Sequence, residues 1–239
     1  MAISAQPGFE SQNDGARTLL ALILFDQGDF NEAETMQQAV VTRLRKLPEN
    51  DGYQLPSALT LLGSIQMERG DLENAKSDLA EGEALYRKYF GPDFTAIYDN
   101  VRLQAQADYL NGDYSAADQK INIALENYKK TSNPKYISYA TALTVQGLIM
   151  NKTARQAAAE SVLREALKLR TENLPETHFM TALTKGALGD VLLDENKPAE
   201  AEPLIRSSYN TLLDSQKFEN ERTRAARARL ERLETALAR

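Results

Sequence analysis

LLGSIQMERGDLENA, residues 61–75, is the stretch whose reading decides the fold. Its Gly63 has small counterparts at whole periods of 42 residues in either direction, as Ala21, Ala105, Gly147 and Gly189. Its Ala75 does the same as Ala33, Ala117, Ala159 and Ala201, and its Gly70-Asp71 pair returns as Gly28-Asp29 and Gly112-Asp113. Five units therefore share one internal plan. Self-similarity at this period marks stacked supersecondary units, none of which can bury its apolar face alone. Such a chain points to binding rather than to chemistry.

Each unit reads as a helical hairpin. The small residue of the first helix is expected to face the alanine of the second so that the two axes approach closely. Glycine of each Gly-Asp pair ends the first helix in the left-handed conformation, and the aspartate caps the amides that open the second. In the fifth unit Asn196-Lys197-Pro198 replaces the pair, since Asn tolerates the left-handed state and Pro suits a first helical turn. The fourth unit has Ala154-Arg155 instead. There Thr153 is expected to cap the second helix, and this turn to be the least regular of the five. Second helices stop near Leu47-Pro48, Gly91-Pro92, Asn133-Pro134 and Leu174-Pro175, because proline disfavours helical geometry in the residue before it. First helices are thus expected near 15–27, 56–69, 96–111, 136–151 and 178–195. Second helices are expected near 30–47, 72–90, 114–131, 154–173 and 198–215. Apolar residues recur at helical spacing inside them, as with Leu59, Leu62 and Ile65, and read as core.

Composition agrees. Glycine (12) and proline (8) are sparse in 239 residues, which leaves an all-α fold. The net charge of −6 carries no basic field that calls for nucleic acid, and no nucleic-acid partner is expected. The longest apolar run, residues 19–25, is far shorter than the roughly 20 residues that cross a bilayer, so no membrane partner is expected either. Residues 1–15 lack a basic start followed by an apolar stretch, which makes the cytoplasm the expected compartment. Cysteine is absent and His178, in an inter-unit turn, is the only histidine, so neither a nucleophile pair nor a zinc set can be assembled. No catalytic residue, metal or cofactor is expected, and the chain reads as a non-enzyme.

The residues Leu61-Leu62-Gly63, Gly70-Asp71-Leu72, Asn74-Ala75 and Ala124 resemble the tetratricopeptide repeat. The 42-residue length, with stretches such as ALYRKYFGPD (84–93) and NLPETH (173–178), is similar to the longer variant found in kinesin light chains. The resemblance covers residues 15–215 in five repeats, about 15–50, 51–93, 94–135, 136–177 and 178–215. Residues 1–14 read as a flexible lead and 216–239 as a capping helix or the start of a sixth repeat. The departures are Ala in place of Gly at 21 and 105 and the altered turn at 154.

The resemblance implies a right-handed superhelix of helix pairs, a solenoid, whose first helices line a concave groove for a peptide or helix of another protein. The inward places it implies are Thr18, Leu22, Phe25 and Asp26 in the first unit, and Thr60, Ser64, Met67 and Glu68 in the second. The third supplies Arg102, Gln106, Tyr109 and Leu110, the fourth Thr144, Leu148, Asn151 and Lys152, and the fifth Gly186, Asp190, Leu193 and Asp194. The Lys, Asn and Arg set with which some such grooves clamp the terminal carboxylate of a chaperone tail is absent, so a mixed or basic peptide is the expected ligand. Phe25, Met67 and Tyr109 fall at one repeat position and are either an exposed anchor or core packing. Arg102 and Lys152 either hold a ligand or pair with neighbouring acids. Tyr86 and Tyr128 share their position with Leu44 and Leu212 and are assigned to packing.

At the C-terminus, residues 218–239 carry six arginines among glutamates, with Leu230 and Leu233 one period beyond Leu188 and Val191. A terminal helix covering the last hairpin is expected, or the first helix of a further unit in a segment of a longer protein. Self-association is the rival function, favoured if residues 19–25 or 230–237 are exposed and apolar.

Overall fold

The computed structural model describes residues 7–48, 53–130, 136–216 and 219–238. Among them the chain is all-helical, with eleven helices: α1 (Pro7–Gln27), α2 (Phe30–Leu44), α3 (Leu55–Glu68), α4 (Leu72–Phe90), α5 (Ala96–Leu110), α6 (Tyr114–Lys130), α7 (Tyr136–Lys152), α8 (Gln156–Asn173), α9 (Phe179–Asp194), α10 (Pro198–Ser215) and α11 (Glu221–Leu237). The Asn133-Pro134 stop, residues 1–6 of the lead and the junction at 50/51 lie outside the described residues.

Every expected helix is present, and the turns show why. Asp29, Asp71 and Asp113 each accept from the backbone N–H three residues on, at 3.2, 3.4 and 3.0 Å. Gly28, Gly70 and Gly112 take φ of 84°, 79° and 82°. In all five turns the residue after the left-handed one donates its backbone N–H five residues back: Asp29 to Leu24, Asp71 to Gln66, Asp113 to Asp108, Arg155 to Met150 and Lys197 to Leu192, at 2.8–2.9 Å. This closure satisfies carbonyls that the ending helix leaves open. The fourth turn is therefore not irregular. Ala154 adopts φ 58°, as Asn196 does at 59°, at a cost of about 1 kcal/mol for a residue with a Cβ. Nor does Thr153 cap α8: its hydroxyl donates back to the Ile149 carbonyl at 2.9 Å, and Arg155 at the N-cap makes no side-chain cap bond. Thr153 lies three residues before the first helical residue, too early to serve the free amides.

The chain divides into two compact units, residues 1–100 and 101–239. In the first, α1 packs on α2, α2 on α3 and α3 on α4. Val40, Val41 and Leu44 of α2 meet Leu55, Ala58, Leu59 and Leu62 of α3 in one buried cluster. The expected lead is corrected here: α1 starts at Pro7, and Asp14 is buried and paired with Arg43 of α2. An acidic residue on a helix with a cation opposite it is a fixed contact, not part of a free tail.

In the second unit α7 packs on α8, α8 on α9, α9 on α10 and α10 on α11. Leu163, Leu188, Val191, Leu192, Ile205 and Leu233 share one core across these helices. α11 is opened by a capping box in which Asn220 and Thr223 bond each other's backbone amide. It lies against both α10 and α9, the relation that α9 has to α8 and α7.

The helix pairs pack more asymmetrically than the sequence suggests. A Cβ at Gly63 would stand 2.8 Å from Leu79 Cγ, and one at Gly147 would stand 2.5 Å from Leu163 Cγ. Ile205 closes on Gly189 in the same way. The small residue thus receives a branched side chain one turn beyond the alanine, rather than the alanine itself.

Candidate functional site

The groove candidates lie on the first helix of each hairpin. In the first compact unit, Met67 of the second repeat is buried at 5% exposure and belongs to the core, which corrects its reading as a groove residue. Met67 follows Gly63 by four residues and so points along the stripe that packs on the second helix. Phe25, four after Ala21, is half-buried, with its ring 5.7 Å from that of Phe30. Tyr109, four after Ala105, is also half-buried, with its ring 5.8 Å from Tyr114. The three therefore form no exposed stripe, and packing is the reading that holds. The next position along is open: Asp26, Leu110, Lys152 and Asp194 are exposed and Glu68 is half-buried. Tyr86 and Tyr128 are buried, as assigned.

Thr60, Ser64 and Thr144 are spent within the fold. Thr60 donates to the Pro56 carbonyl at 2.8 Å and accepts from Asn100 Nδ2 at 3.0 Å, while Ser64 donates to the Thr60 carbonyl. Thr144 is buried against Thr184, with the hydroxyls 3.1 Å apart.

The second unit holds the more developed surface. Asn151 of α7 donates to Asp194 of α9 at 2.6 Å. Asp194 also accepts from Arg232 of α11. Asp190, one turn back on α9, accepts from Arg229 Nε at 2.5 Å and lies 3.4 Å from Arg232 Nη1. Three successive first-position helices are thus tied by one row of polar side chains, with Lys152 exposed beside it. Burial, with Tyr114 and Asp190 adding to it and Arg229 opposing, pushes the Tyr109 phenol up to about 12. Gln106 and Arg102 are half-buried on α5, one turn apart.

Arg229 and Arg232 lie outside residues 15–215, which the resemblance covers, so it implies no groove place for them. Arg232 stands one period after Asp190, which was the available signal. His178 is structural: its Nδ1 accepts from the Met180 N–H at 3.2 Å at the start of α9, and its ring stacks on Phe179. Among the described residues no three His, Cys, Asp or Glu side chains gather to hold a metal ion, and no helix is long and apolar enough to cross a membrane.

Residues 15–93 match the family model of the tetratricopeptide repeat. The chain has the tetratricopeptide-repeat (TPR) fold. Solved structures bear this out over nearly the whole chain. The nearly identical TPR-like repeats of a Podosopora anserina kinesin light chain superpose with a TM-score of 0.57 at 15% identity, covering 85% of this chain and 96% of that one. A thermophilic TPR protein of Thermus thermophilus gives 0.60 at 18% identity over 95% of this chain and all of that one (100%). The signal transduction ATPase with a TPR sensor from Pyrococcus horikoshii gives 0.61 at 16% identity, over 95% of this chain and 32% of the ATPase. No curated protein sequence matches significantly. The fold class that the resemblance implied, an all-α solenoid of TPR hairpins, is the one observed, and the structures it is similar to include kinesin-light-chain-like repeats. TPR domains generally serve as scaffolds that bind other proteins rather than as enzymes.

Proposed function

We propose that this chain is a protein–protein interaction scaffold, taking a peptide or helix of a partner in the groove that TPR first helices line. The observation that carries the reading is the tied polar row of Asn151, Asp190, Asp194, Arg229 and Arg232. Side chains already fixed by one another lose little rotamer freedom when a ligand arrives, so the surface is prepared for recognition. Gln106 and Lys152 are further groove candidates of the second compact unit, and Asp26 and Glu68 are those of the first. The likeness to a TPR sensor supports a sensory or partner-binding role within a larger cytoplasmic signalling protein.

Affinity capture with the chain and with Gln106→Arg/Lys152→Glu tests this. Lys168→Glu, on a side chain of α8 that is 75% exposed, is the control for charge alone. A partner kept by the control and lost from the double variant is expected. Equal recovery by all three sinks the assignment.

A second reading has its own observation. Leu19, Leu20, Leu22 and Ile23 of α1 are 41–59% exposed, an apolar patch of the kind that marks an interface. We infer self-association through α1 as the alternative. Sedimentation across a hundredfold range of concentration should then show a dimer that Leu19→Lys/Ile23→Glu abolishes, and monomer throughout defeats it.

A further inference from the structure

Position 170 breaks the register of the second helices. Its counterparts at whole periods are Leu44, Tyr86, Tyr128 and Leu212, all buried. In α8 the position holds an arginine that is only 3% exposed. A guanidinium keeps its charge and its fork of N–H donors, and proteins bury one where an anion or a set of acceptors receives it. Among the described residues Arg170 has neither. Its Nη2 donates to Thr141 Oγ1 on α7 at 3.1 Å, a neutral acceptor, and no protein atom accepts from Nε or Nη1. The charge that bears on it belongs to a second guanidinium, Arg102 of α5, whose own Nε is buried without a protein acceptor. Burial first, and Arg102 after it, hold the Arg170 pKa down to about 10.

Two like charges with unused buried donors define what they lack. We propose that Arg102 and Arg170 form an oxyanion site that takes one carboxylate or phosphate group borne by the peptide partner. The inference rests on the groove reading above and specifies its ligand. Arginine forks receive such groups through paired, charge-assisted N–H bonds, and a single oxyanion would neutralise the repulsion while occupying the open Nε and Nη1 donors. Arg102 lies one turn from Gln106 on α5, another of the groove candidates.

Thermal unfolding of the 239-residue chain, Arg170→Tyr and Arg102→Gln in sodium chloride, sodium glutarate and sodium methyl phosphate at matched ionic strength tests the proposal. Tyrosine is the residue that α4 and α6 carry at this register. In chloride, Arg170→Tyr should melt at or above the natural chain because the buried charge is gone. Glutarate or methyl phosphate should raise the natural midpoint saturably, by about 3–5 °C at tenfold excess over half-saturation, and neither variant should follow. A response to glutarate alone assigns a carboxylate, and one to methyl phosphate alone a phosphate. Arg102→Gln alters a half-buried side chain and keeps the test decisive should Arg170→Tyr not fold. The proposal is overturned if the natural chain does not respond, or if either variant responds as strongly. A partner captured through Gln106 and Lys152 without any anion response overturns this site and leaves the scaffold reading standing. An anion response with no partner lost from the Gln106/Lys152 variant does the reverse.

Discussion

Replacing Gly147 by alanine tests the packing rule that sets the helix pairs. A methyl built there meets Leu163 Cγ at 2.5 Å, Cδ2 at 2.8 Å and Cδ1 at 3.0 Å. Favourable carbon contacts lie at about 3.5–4.0 Å, so Leu163 must retreat by about 1 Å. It has nowhere to go: it is fully buried in the cluster with Leu188, Val191, Leu192 and Ile205. Overpacking of this kind costs about 1–3 kcal/mol. Alanine recovers about 0.5–1 kcal/mol over glycine in a helix interior, which leaves a net loss of about 1–2 kcal/mol. Gly15→Ala on α1 is the control, since a Cβ there meets nothing within 4 Å and only the helical gain of about 0.5–1 kcal/mol remains. Urea unfolding followed by circular dichroism should move the two midpoints in opposite directions at unchanged slope. Leu163→Val should recover part of the loss in the Gly147→Ala background while destabilising the natural chain, the non-additivity expected of groups in contact. If Gly147→Ala stabilises as Gly15→Ala does, the close approach of α7 to α8 is not what the glycine serves.

Titrating the phenols at 295 nm should show Tyr109 lagging with its midpoint at about 12, Tyr86 and Tyr139 also being raised by burial, and Tyr109→Phe should remove the phase at about 12. Because the folded pKa lies above the usual value near 10, the stabilisation that burial gives the neutral phenol is whole below pH 10 and fades as pH rises from 10 to 12. Complete titration of every tyrosine by about pH 11 refutes this. Asp14→Ala should cost about 2 kcal/mol in urea unfolding by leaving Arg43 without its buried carboxylate. Glu83→Gln, which breaks a pair with Arg87 whose side chains are 46% and 23% exposed, should stay within about 0.5 kcal/mol. Equal losses from the two substitutions contradict the burial of Asp14.

What the sequence disclosed was whatever repeats. Glycine at a left-handed position, aspartate at an N-cap and a small residue at a close crossing each answer a local geometric demand, so they return with the period and can be read without coordinates. The Ala154 turn shows the limit of that logic. The backbone closure from Arg155 to Met150 is retained without glycine or cap, because packing on both sides imposes a geometry the local residues only tolerate. Met67 marks a second limit. Neighbouring helical residues differ by about 100° in direction, so an uncertainty of one position exchanges a core side chain for an open one. Met67 and Glu68 stand on opposite sides of that line. The polar row of the second unit is only faintly marked for a different reason: its partners come from α7, α9 and α11, and the spacing of Arg232 one period after Asp190 shows a shared register without showing that the two side chains meet.

The same distinction separates the parts of this molecule that build the fold from those that give it specificity. Residues required by the hairpin recur in every unit, so a side chain that departs from its register is under a demand the hairpin does not make. Most departures here have a structural answer: Asn196 takes the left-handed turn in place of glycine, and Gln37, at the register of Leu79, Leu163 and Ile205, donates to the Ala58 carbonyl at 2.9 Å. Arg170 has none. Its counterparts at whole periods, Leu44, Tyr86, Tyr128 and Leu212, carry no charge into the core, whereas the Arg170 charge is opposed by Arg102 and met by a single threonine. A buried cation held in this way is costly to folding by several kcal/mol, a cost that the surrounding hairpins sustain. The departure therefore belongs to recognition, where an incoming anion recovers as binding energy what the isolated chain loses in stability.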